Sequence, residues 1–218
     1  MDLEAAFSSL AAFSGADLGR TLARIENHLR DAAAETLDPL VRREGAEPDV
    51  LRAAGKVKQL AGQINVVIHA LGVLRCLPRL LRPGENVLSV SLGAGNTGKE
   101  FDLETNTRIA EFKFITWRGG SETIRQNSVF KDFYKLAEAD TPKSRYLYVL
   151  GTEMPLRFLN GKRALPSVLS RNTTLRDEFA AKYPEYHIVR DYYRPRREAV
   201  RIEDISPLVP EILGDEQV

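Results

Sequence analysis

The apolar pattern of this chain is helical up to Asn86 and mixed after it, and this change constrains the fold more than any other feature. Before Asn86, apolar residues recur at three- and four-residue steps, the spacing of helices with one buried face. After it, short apolar runs are separated by turn residues and by further helical patterns. A chain of 218 residues with this order is predicted to be an α/β protein with a central mixed sheet flanked by helices and an N-terminal helical extension.

Two helical regions are predicted before the change of period. Residues 1–44 are rich in alanine and contain one amphipathic face, formed by Leu18, Leu22, Ile25 and Leu29. A longer helix is predicted over residues 50–77, where Pro78 stops it. Its predicted buried stripe consists of Val57, Leu60, Ile64, Val67, Leu71 and Leu74. Residues 1–80 are therefore predicted to pack on or extend a core formed by residues 81–218.

The core region contains five runs of strand length and two helical patterns. The predicted strands are residues 87–92, 101–104, 108–117, 146–150 and 187–192, and the predicted helices are residues 121–139 and 175–182.

Composition narrows the classes of protein to consider. Apolar residues make up 43% and charged residues 28% of the chain, the balance of a folded domain. A single cysteine, Cys76, excludes an internal disulfide framework, and three scattered histidines predict no zinc-type cluster. The N-terminus lacks the pattern of a secretory signal, and the apolar run 64–74 is too short to span a bilayer, so we expect a cytoplasmic protein without a membrane partner. The net charge of +1 means that any anion-binding surface must be local.

Charged and apolar residues alternate in the predicted hairpin of residues 101–117. Glu111 and Lys113 point to one face because side chains alternate along a strand. A four-residue connection at 105–108, or a two-residue turn within it, places Asp102 opposite Glu111. The other face is predicted to be buried and to carry Phe101, Ala110, Phe112 and Phe114.

Two carboxylates that meet in a half-buried site resist ionisation unless a cation lies between them. Mg²⁺ suits such a site because it takes oxygen ligands and keeps several waters. A bound metal lowers the pKa of its water and stabilises charge on a phosphate, and Lys113 would assist.

Asp102 followed by the triplet Glu111-Phe112-Lys113 resembles the catalytic core of the PD-(D/E)xK nuclease superfamily. Gln126 and Tyr134 in the next helix resemble the additional Gln…Tyr motif of its RecB-like and lambda-exonuclease-like members. The resemblance covers residues 86–150. It implies a restriction-endonuclease-like core and a nuclease that hydrolyses phosphodiester bonds of DNA. It also implies Mg²⁺ or Mn²⁺ bound by Asp102 and Glu111, with Lys113 and Gln126 completing the catalytic set.

Several basic residues are candidates for contacts with nucleic acid, and a solvated surface is the alternative interpretation for them. They are Lys99, Arg125, Lys131, Arg194 and Arg196.

Other interpretations remain open at this point. Phe101 stands where the family name has proline, and the further acid that members often supply has no obvious source; Glu26, Glu35, Glu44 and Glu100 are candidates. The chain is then an active deoxyribonuclease or an inactive nuclease-fold module that binds nucleic acid or a protein, and the N-terminal helices are candidates for homodimerisation. Alternatively, Glu111 and Lys113 belong to an ordinary half-solvated sheet. Residues 93–99 fit the start of a Walker A loop, but Glu100 replaces the required hydroxyl residue.

Overall fold

The computed structural model describes residues 2–30, 34–93, 98–117 and 122–213, without the side chains of residues 34 and 35. The chain divides into two compact units, Met1–Asn65 and Val66–Val218. Each unit is described by itself below.

The first unit is helical. It contains α1 (Leu3–Ser14), α2 (Leu18–Leu29), α3 (Ala34–Arg43) and the first half of α4 (Pro48–Leu80). Gly15 ends α1 with a positive φ of 61°, and the Asp17 carboxylate caps α2 by accepting from the Arg20 N–H. The helical character predicted for residues 1–44 is confirmed, although the single pattern resolves into separate helices.

The second unit contains a five-stranded mixed open sheet. Its strands are β1 (Val87–Val90), β2 (Leu103–Thr105), β3 (Arg108–Lys113), β4 (Ser144–Val149) and β5 (Arg201–Asp204), adjacent in chain order. The pairs β1–β2 and β2–β3 are antiparallel, whereas β3–β4 and β4–β5 are parallel. The predicted α/β class with a mixed sheet is therefore confirmed.

The helices of this unit connect the parallel strands. They are α5 (Thr123–Glu138), α6 (Glu153–Leu159), α7 (Leu165–Val168), α8 (Thr173–Lys182) and α9 (Val189–Tyr193). Single 3-10 turns follow at Arg194–Arg196, Ser206–Leu208 and Pro210–Ile212. Because α5 joins β3 to the parallel strand β4, it lies across one face of the sheet.

Alternate residues of the sheet belong to two separate apolar clusters. Ile109, Leu147 and Val149 pack with α5, whose apolar face includes Phe130 and Phe133. The opposite face packs against the second half of α4; the buried residues there include Leu103, Ala110, Phe112, Tyr146, Tyr148, Val73 and Cys76. The sheet is thus covered on both faces, and β3 lies in its middle.

The prediction for the buried stripe of α4 is wrong. Leu60, Ile64, Val67, Leu71 and Leu74 are between 44% and 58% exposed. The residues that face the sheet are Val73 and Cys76, both fully buried, with Ile68, Leu77 and Leu80 beside them. Pro78 also lies inside the helix rather than ending it. Since α4 is apolar on more than one side, its periodicity could not identify the side that packs.

Helix α4 is long and apolar enough to cross a bilayer by length and composition alone, a criterion that core helices also meet.

The C-terminal third differs from its prediction. Residues 187–192 were predicted to form a strand, but Val189–Tyr193 is a short helix with Tyr192 and Tyr193 buried. The strand at this end of the sheet is β5, whose sequence Arg-Ile-Glu-Asp has too few apolar residues to predict a strand.

Candidate active site

The hairpin β2–β3 brings Asp102 to the middle of the sheet. The hydroxyl of Thr105 accepts from the N–H groups of Thr107 and Arg108, which fixes a short connection between the strands. The register pairs Leu103 with Ala110, so Asp102 arrives beside Glu111 and Phe112. The Oδ2 atom of Asp102 accepts from the Phe112 N–H at 2.9 Å. The connection predicted from the sequence thus has the length that brings Asp102 next to β3.

Asp102 also has a partner from α4. The Nε2 atom of His69 lies 3.5 Å from Oδ1 of Asp102 and 3.3 Å from the Ser91 carbonyl oxygen. Burial alone would raise the pKa of Asp102, but hydrogen bonds from His69 and from the Phe112 N–H hold it below its ordinary value. The same contact with Asp102 raises the pKa of His69. His69 was not a candidate for the site in the sequence, but its contact with Asp102 places it at the edge of the site.

Glu111 is buried between the sheet and α5. Its side chain is 8% exposed, and its Oε1 atom lies 2.6 Å from the Nζ atom of Lys135. Burial, followed by the neighbouring carboxylates of Asp132 and Asp102, raises the pKa of Glu111 to about 8. Glu111 is therefore an acid whose surroundings disfavour its charge, even with an ammonium group in contact.

Lys113 lies on the same face of β3 and forms an ion pair with Asp132 of α5. Burial disfavours the ammonium, but the Asp132 carboxylate outweighs it and raises the pKa of Lys113. The two ion pairs, Lys113–Asp132 and Lys135–Glu111, lie side by side between β3 and α5. We refer to Asp102, Glu111, Lys113, Asp132 and Lys135 as the charged cluster.

Asp132 was missed in the sequence, and Lys135, a basic residue expected only to flank the site, was not predicted to contact Glu111. Asp132 lies between Val129 and Leu136, two buried positions of α5, and is itself buried. An acid at a core-facing helical position is the signal that pointed to it. The acids that the sequence offered lie elsewhere: Glu44 binds Arg24 and His28 within the first unit, and Glu100 is exposed. Glu26 is also exposed, and the side chain of Glu35 lies outside the described residues.

The predicted position of Phe101 is wrong. It belongs to the cluster of Ile109 and α5, and its ring lies 4.7 Å from the Nζ atom of Lys135. Leu103 occupies the position on the opposite face that was predicted for Phe101. The backbone bends at residues 101–102, before β2 begins, so strict alternation does not extend to Phe101.

The donor chemistry of the charged cluster suits a hard divalent cation. Three carboxylates influence one another there, and the pKa of Glu111 is raised by the other two. Within the part of the chain that the structure describes, however, no three Asp, Glu, His or Cys side chains are arranged around a common point. Two of the carboxylates instead hold lysines. The residues thus fit Mg²⁺ or Mn²⁺ by type, and an ion at Glu111 would have to displace Lys135.

The remaining predicted residues lie around this cluster. Gln126 is in the first turns of α5 and lines a separate hollow with Trp117. Arg125 forms an ion pair with Glu122, and Lys131 is exposed. Lys99 donates to the Val90 carbonyl oxygen at 2.6 Å; residues 94–97 of its glycine-rich loop lie outside the described residues.

The two C-terminal arginines have different environments. Arg194 is exposed. The guanidinium of Arg196 lies over the rings of Tyr192, at 4.2 Å, and Tyr183, at 4.6 Å, and its Nε atom lies 3.3 Å from Glu138. Arg196 thus contributes to internal packing, which leaves Arg194 as the accessible cation of the pair.

Comparisons of this chain with protein-family models, with curated proteins and with solved structures found no match.

Proposed function

We propose that this chain is a metal-dependent nuclease that hydrolyses phosphodiester bonds of DNA, with Asp102 and Glu111 as metal ligands and Lys113 beside them. The proposal is supported by the position of these three residues on and beside two adjacent strands, where the charge of Asp102 raises the pKa of both Glu111 and Lys113. The β2–β3 register brings Asp102 to β3, and Glu111 and Lys113 share the face of β3 that α5 covers. Buried carboxylates grouped with lysines in the centre of a sheet are costly for stability, which favours a functional reason for them.

The architecture is compatible with a restriction-endonuclease-like core. That resemblance implies a central mixed sheet flanked by helices, with the Asp on one strand and the Glu-x-Lys triplet on the next. The chain has a mixed sheet covered on both faces, with Asp102 directly before β2 and the triplet on β3. We propose this core as the framework of the nuclease site.

The residues of the charged cluster other than Lys135 have roles in this proposal, and Glu111 is a metal ligand. A divalent ion would supply an activated water and would neutralise charge on the scissile phosphate. Asp102 is kept ionised by its hydrogen bonds, so it is ready to bind a cation. Lys113 provides a fixed positive charge for the phosphate, and Asp132 holds its ammonium in place. His69 orients Asp102 from the side of α4.

The proposal is tested by incubating the full chain with plasmid and linear DNA in Mg²⁺ or Mn²⁺. The variants Asp102→Asn and Lys113→Ala are expected to lower the cleavage rate about 100-fold or more. Glu104→Gln is the matched control, because Glu104 is the acid two residues further along the chain and binds Lys143 at 2.7 Å. It should cut at the wild-type rate. Cleavage that persists in the first two variants would reject Asp102 and Lys113 as residues of the catalytic site.

A second function is favoured by the closed ion pairs. Glu111 and Lys113 already have partners of opposite charge in Lys135 and Asp132. A chain that no longer binds metal could keep such pairs as a structural element, and would then act as an inactive nuclease-fold module that binds nucleic acid or a protein. It predicts no cutting by the wild type, no Mn²⁺ binding, and DNA affinity that is unchanged in Asp102→Asn.

A further inference from the structure

A basic hollow of about 260 Å³ lies between the first turns of α5 and the segment that contains α6 and α7. We define the basic hollow by the six lining residues that matter here: Trp117, Gln126, Arg157, Phe158, Lys162 and Arg163. Three of them are cations, and none of the described residues that line the hollow is an acid. The exposed Arg157 contacts the carboxylate of Glu153 at 3.3 Å.

The positive charge of the hollow is poorly compensated. The guanidinium of Arg163 is held by two neutral hydroxyls, Thr123 Oγ1 at 3.2 Å and Ser167 Oγ at 3.4 Å. Lys162 is exposed and forms no ion pair within the described residues. An anion in the hollow would therefore meet two cations that are not already neutralised, which is the electrostatic requirement for a phosphate site.

Two polar atoms at the hollow also lack partners. The Oε1 atom of Gln126 and the Nε atom of Arg163 are inaccessible to solvent, and neither has a hydrogen-bond partner in the described part of the chain. A buried acceptor and a buried donor without partners cost stability. A ligand with an acceptor and an N–H donor would pair with them only after these side chains turn towards the hollow, because neither atom is accessible in the structure.

The hollow has one aromatic wall. Trp117 is half-buried, and its ring centroid lies 5.8 Å from that of Phe158. An indole face can stack on any of the nucleobases, because every base has a π-face. Trp117 also lines a smaller hollow that contains Lys113 and Arg125, so the basic hollow adjoins the surroundings of the charged cluster.

We propose that the basic hollow binds one nucleotide of a DNA strand next to the scissile bond. The phosphate lies against Arg163 and Lys162, the base stacks on Trp117, and Gln126 turns its amide oxygen towards the base edge. The hollow of about 260 Å³ is open to solvent, and in this proposal it receives one unpaired nucleotide. The assignment of DNA rests on the proposed function, while the chemistry of the hollow is independent of cleavage.

The test uses the intrinsic fluorescence of Trp117, the only tryptophan in the chain. The full chain is titrated without metal with a 5′-phosphorylated deoxytetranucleotide, and separately with inorganic phosphate. Saturable quenching by the tetranucleotide, weakened by added salt and much weaker with inorganic phosphate, is the expected result. No quenching by the tetranucleotide, or equal affinity for inorganic phosphate, would overturn the proposal.

Variants assign the binding to the hollow. Lys162→Gln and Arg163→Gln are each expected to lower the affinity for the tetranucleotide about tenfold. Arg171→Gln, an exposed arginine outside the hollow, is the charge-matched control and should bind normally. Lys162 forms no ion pair with any residue that the structure describes, so its variant keeps the test valid if Arg163→Gln does not fold. Unchanged affinity in Lys162→Gln and in folded Arg163→Gln would overturn the assignment.

Failure of the two proposals can be told apart. Asp102→Asn should lose cleavage but keep the quenching of Trp117, because Asp102 does not line the hollow. Quenching in a wild-type chain that cuts no DNA would reject the nuclease and retain the nucleotide site. A wild-type chain that cuts DNA without quenching of Trp117 would retain the nuclease and reject the nucleotide site.

Discussion

The Nζ atom of Lys135 lies 2.6 Å from Oε1 of Glu111, so a lysine of α5 contacts the acid in the middle of β3. The contact does not keep Glu111 ionised at neutral pH, because burial and two neighbouring carboxylates raise its pKa to about 8. With Glu111 protonated, the two lysines of the charged cluster balance Asp102 and Asp132, whereas an ionised Glu111 would leave one negative charge in excess. This imbalance governs the behaviour that we expect of the folded chain.

The first prediction concerns the pH dependence of stability. A carboxyl group whose pKa rises from 4.5 to about 8 on folding binds its proton more tightly in the folded chain. The free energy of unfolding should therefore fall between those two pH values, by an amount on the order of 3–5 kcal/mol from Glu111 alone. Glu111→Gln should remove this part of the decline. Urea unfolding of both proteins from pH 5 to 8.5, without divalent ions, measures it; parallel profiles would contradict the assigned pKa.

The second prediction concerns the packing of α4 on the sheet. A Cβ atom added at Gly72 would lie 2.5, 2.6 and 2.7 Å from three ring atoms of Phe114. Gly72→Ala should therefore lower the free energy of unfolding by about 1–3 kcal/mol, although alanine favours helix. Gly62→Ala in the same helix is the control, since its Cβ would meet nothing within 4 Å. It should not destabilise the chain, and Phe114→Leu should rescue Gly72→Ala. The melting temperatures of the wild type, Gly72→Ala, Gly62→Ala and the double variant Gly72→Ala with Phe114→Leu test this prediction.

The hairpin could be predicted because its signals are local. The alternation of residues 108–113 and the short connection at Thr105 fix which residues face each other, so the approach of Asp102 to β3 follows from the sequence. The helix α5 was also predicted, within two residues at its start and one at its end. Such features depend on neighbours in the chain.

The partners of the site could not be predicted, because they depend on long-range packing. Lys135 is separated from Glu111 by 24 residues, and only the crossing of α5 over β3 brings them together. His69 reaches Asp102 because α4 packs through Val73 and Cys76 rather than through the stripe of Leu71 and Leu74. A helix that is apolar on several sides gives no rule for choosing between these faces.

The third prediction concerns a buried ion pair at the start of β3. The guanidinium of Arg108 donates to both carboxylate oxygens of Glu85 at 2.5 Å, and these side chains are 5% and 2% exposed. Arg108→Met leaves a buried carboxylate without its partner and should cost about 3–5 kcal/mol. The double variant Arg108→Met with Glu85→Gln should recover much of that loss.

The same pair predicts sensitivity to acid. Burial opposes ionisation of Glu85, but the hydrogen bonds from Arg108 and Thr105 outweigh it and lower its pKa to about 2. A carboxyl group with a lowered pKa stabilises the folded chain above pH 4.5, and this contribution is lost as the pH falls towards 2. Urea unfolding of wild type and the double variant between pH 2.5 and 6 measures the difference, which should shrink at low pH. A constant difference would argue against an ionised pair.

The last prediction separates a metal site from a structural pair. If Glu111 binds a divalent ion, the Lys135 ammonium competes with it for the same carboxylate. Lys135→Ala removes that competitor and should raise the affinity for Mn²⁺ about tenfold, a gain expected when a charge-assisted hydrogen bond no longer has to be broken. Lys131→Ala is the matched control, because Lys131 lies one turn earlier on α5 and is exposed, and it should bind Mn²⁺ like the wild type. The measurement is a calorimetric Mn²⁺ titration at pH 8.5, above the pKa of about 8 that Glu111 has with Lys135 in place. Loss of binding in Lys135→Ala, or no binding by any of the three proteins, would mean that the pair of Lys135 and Glu111 is structural and that the metal site lies elsewhere or does not exist.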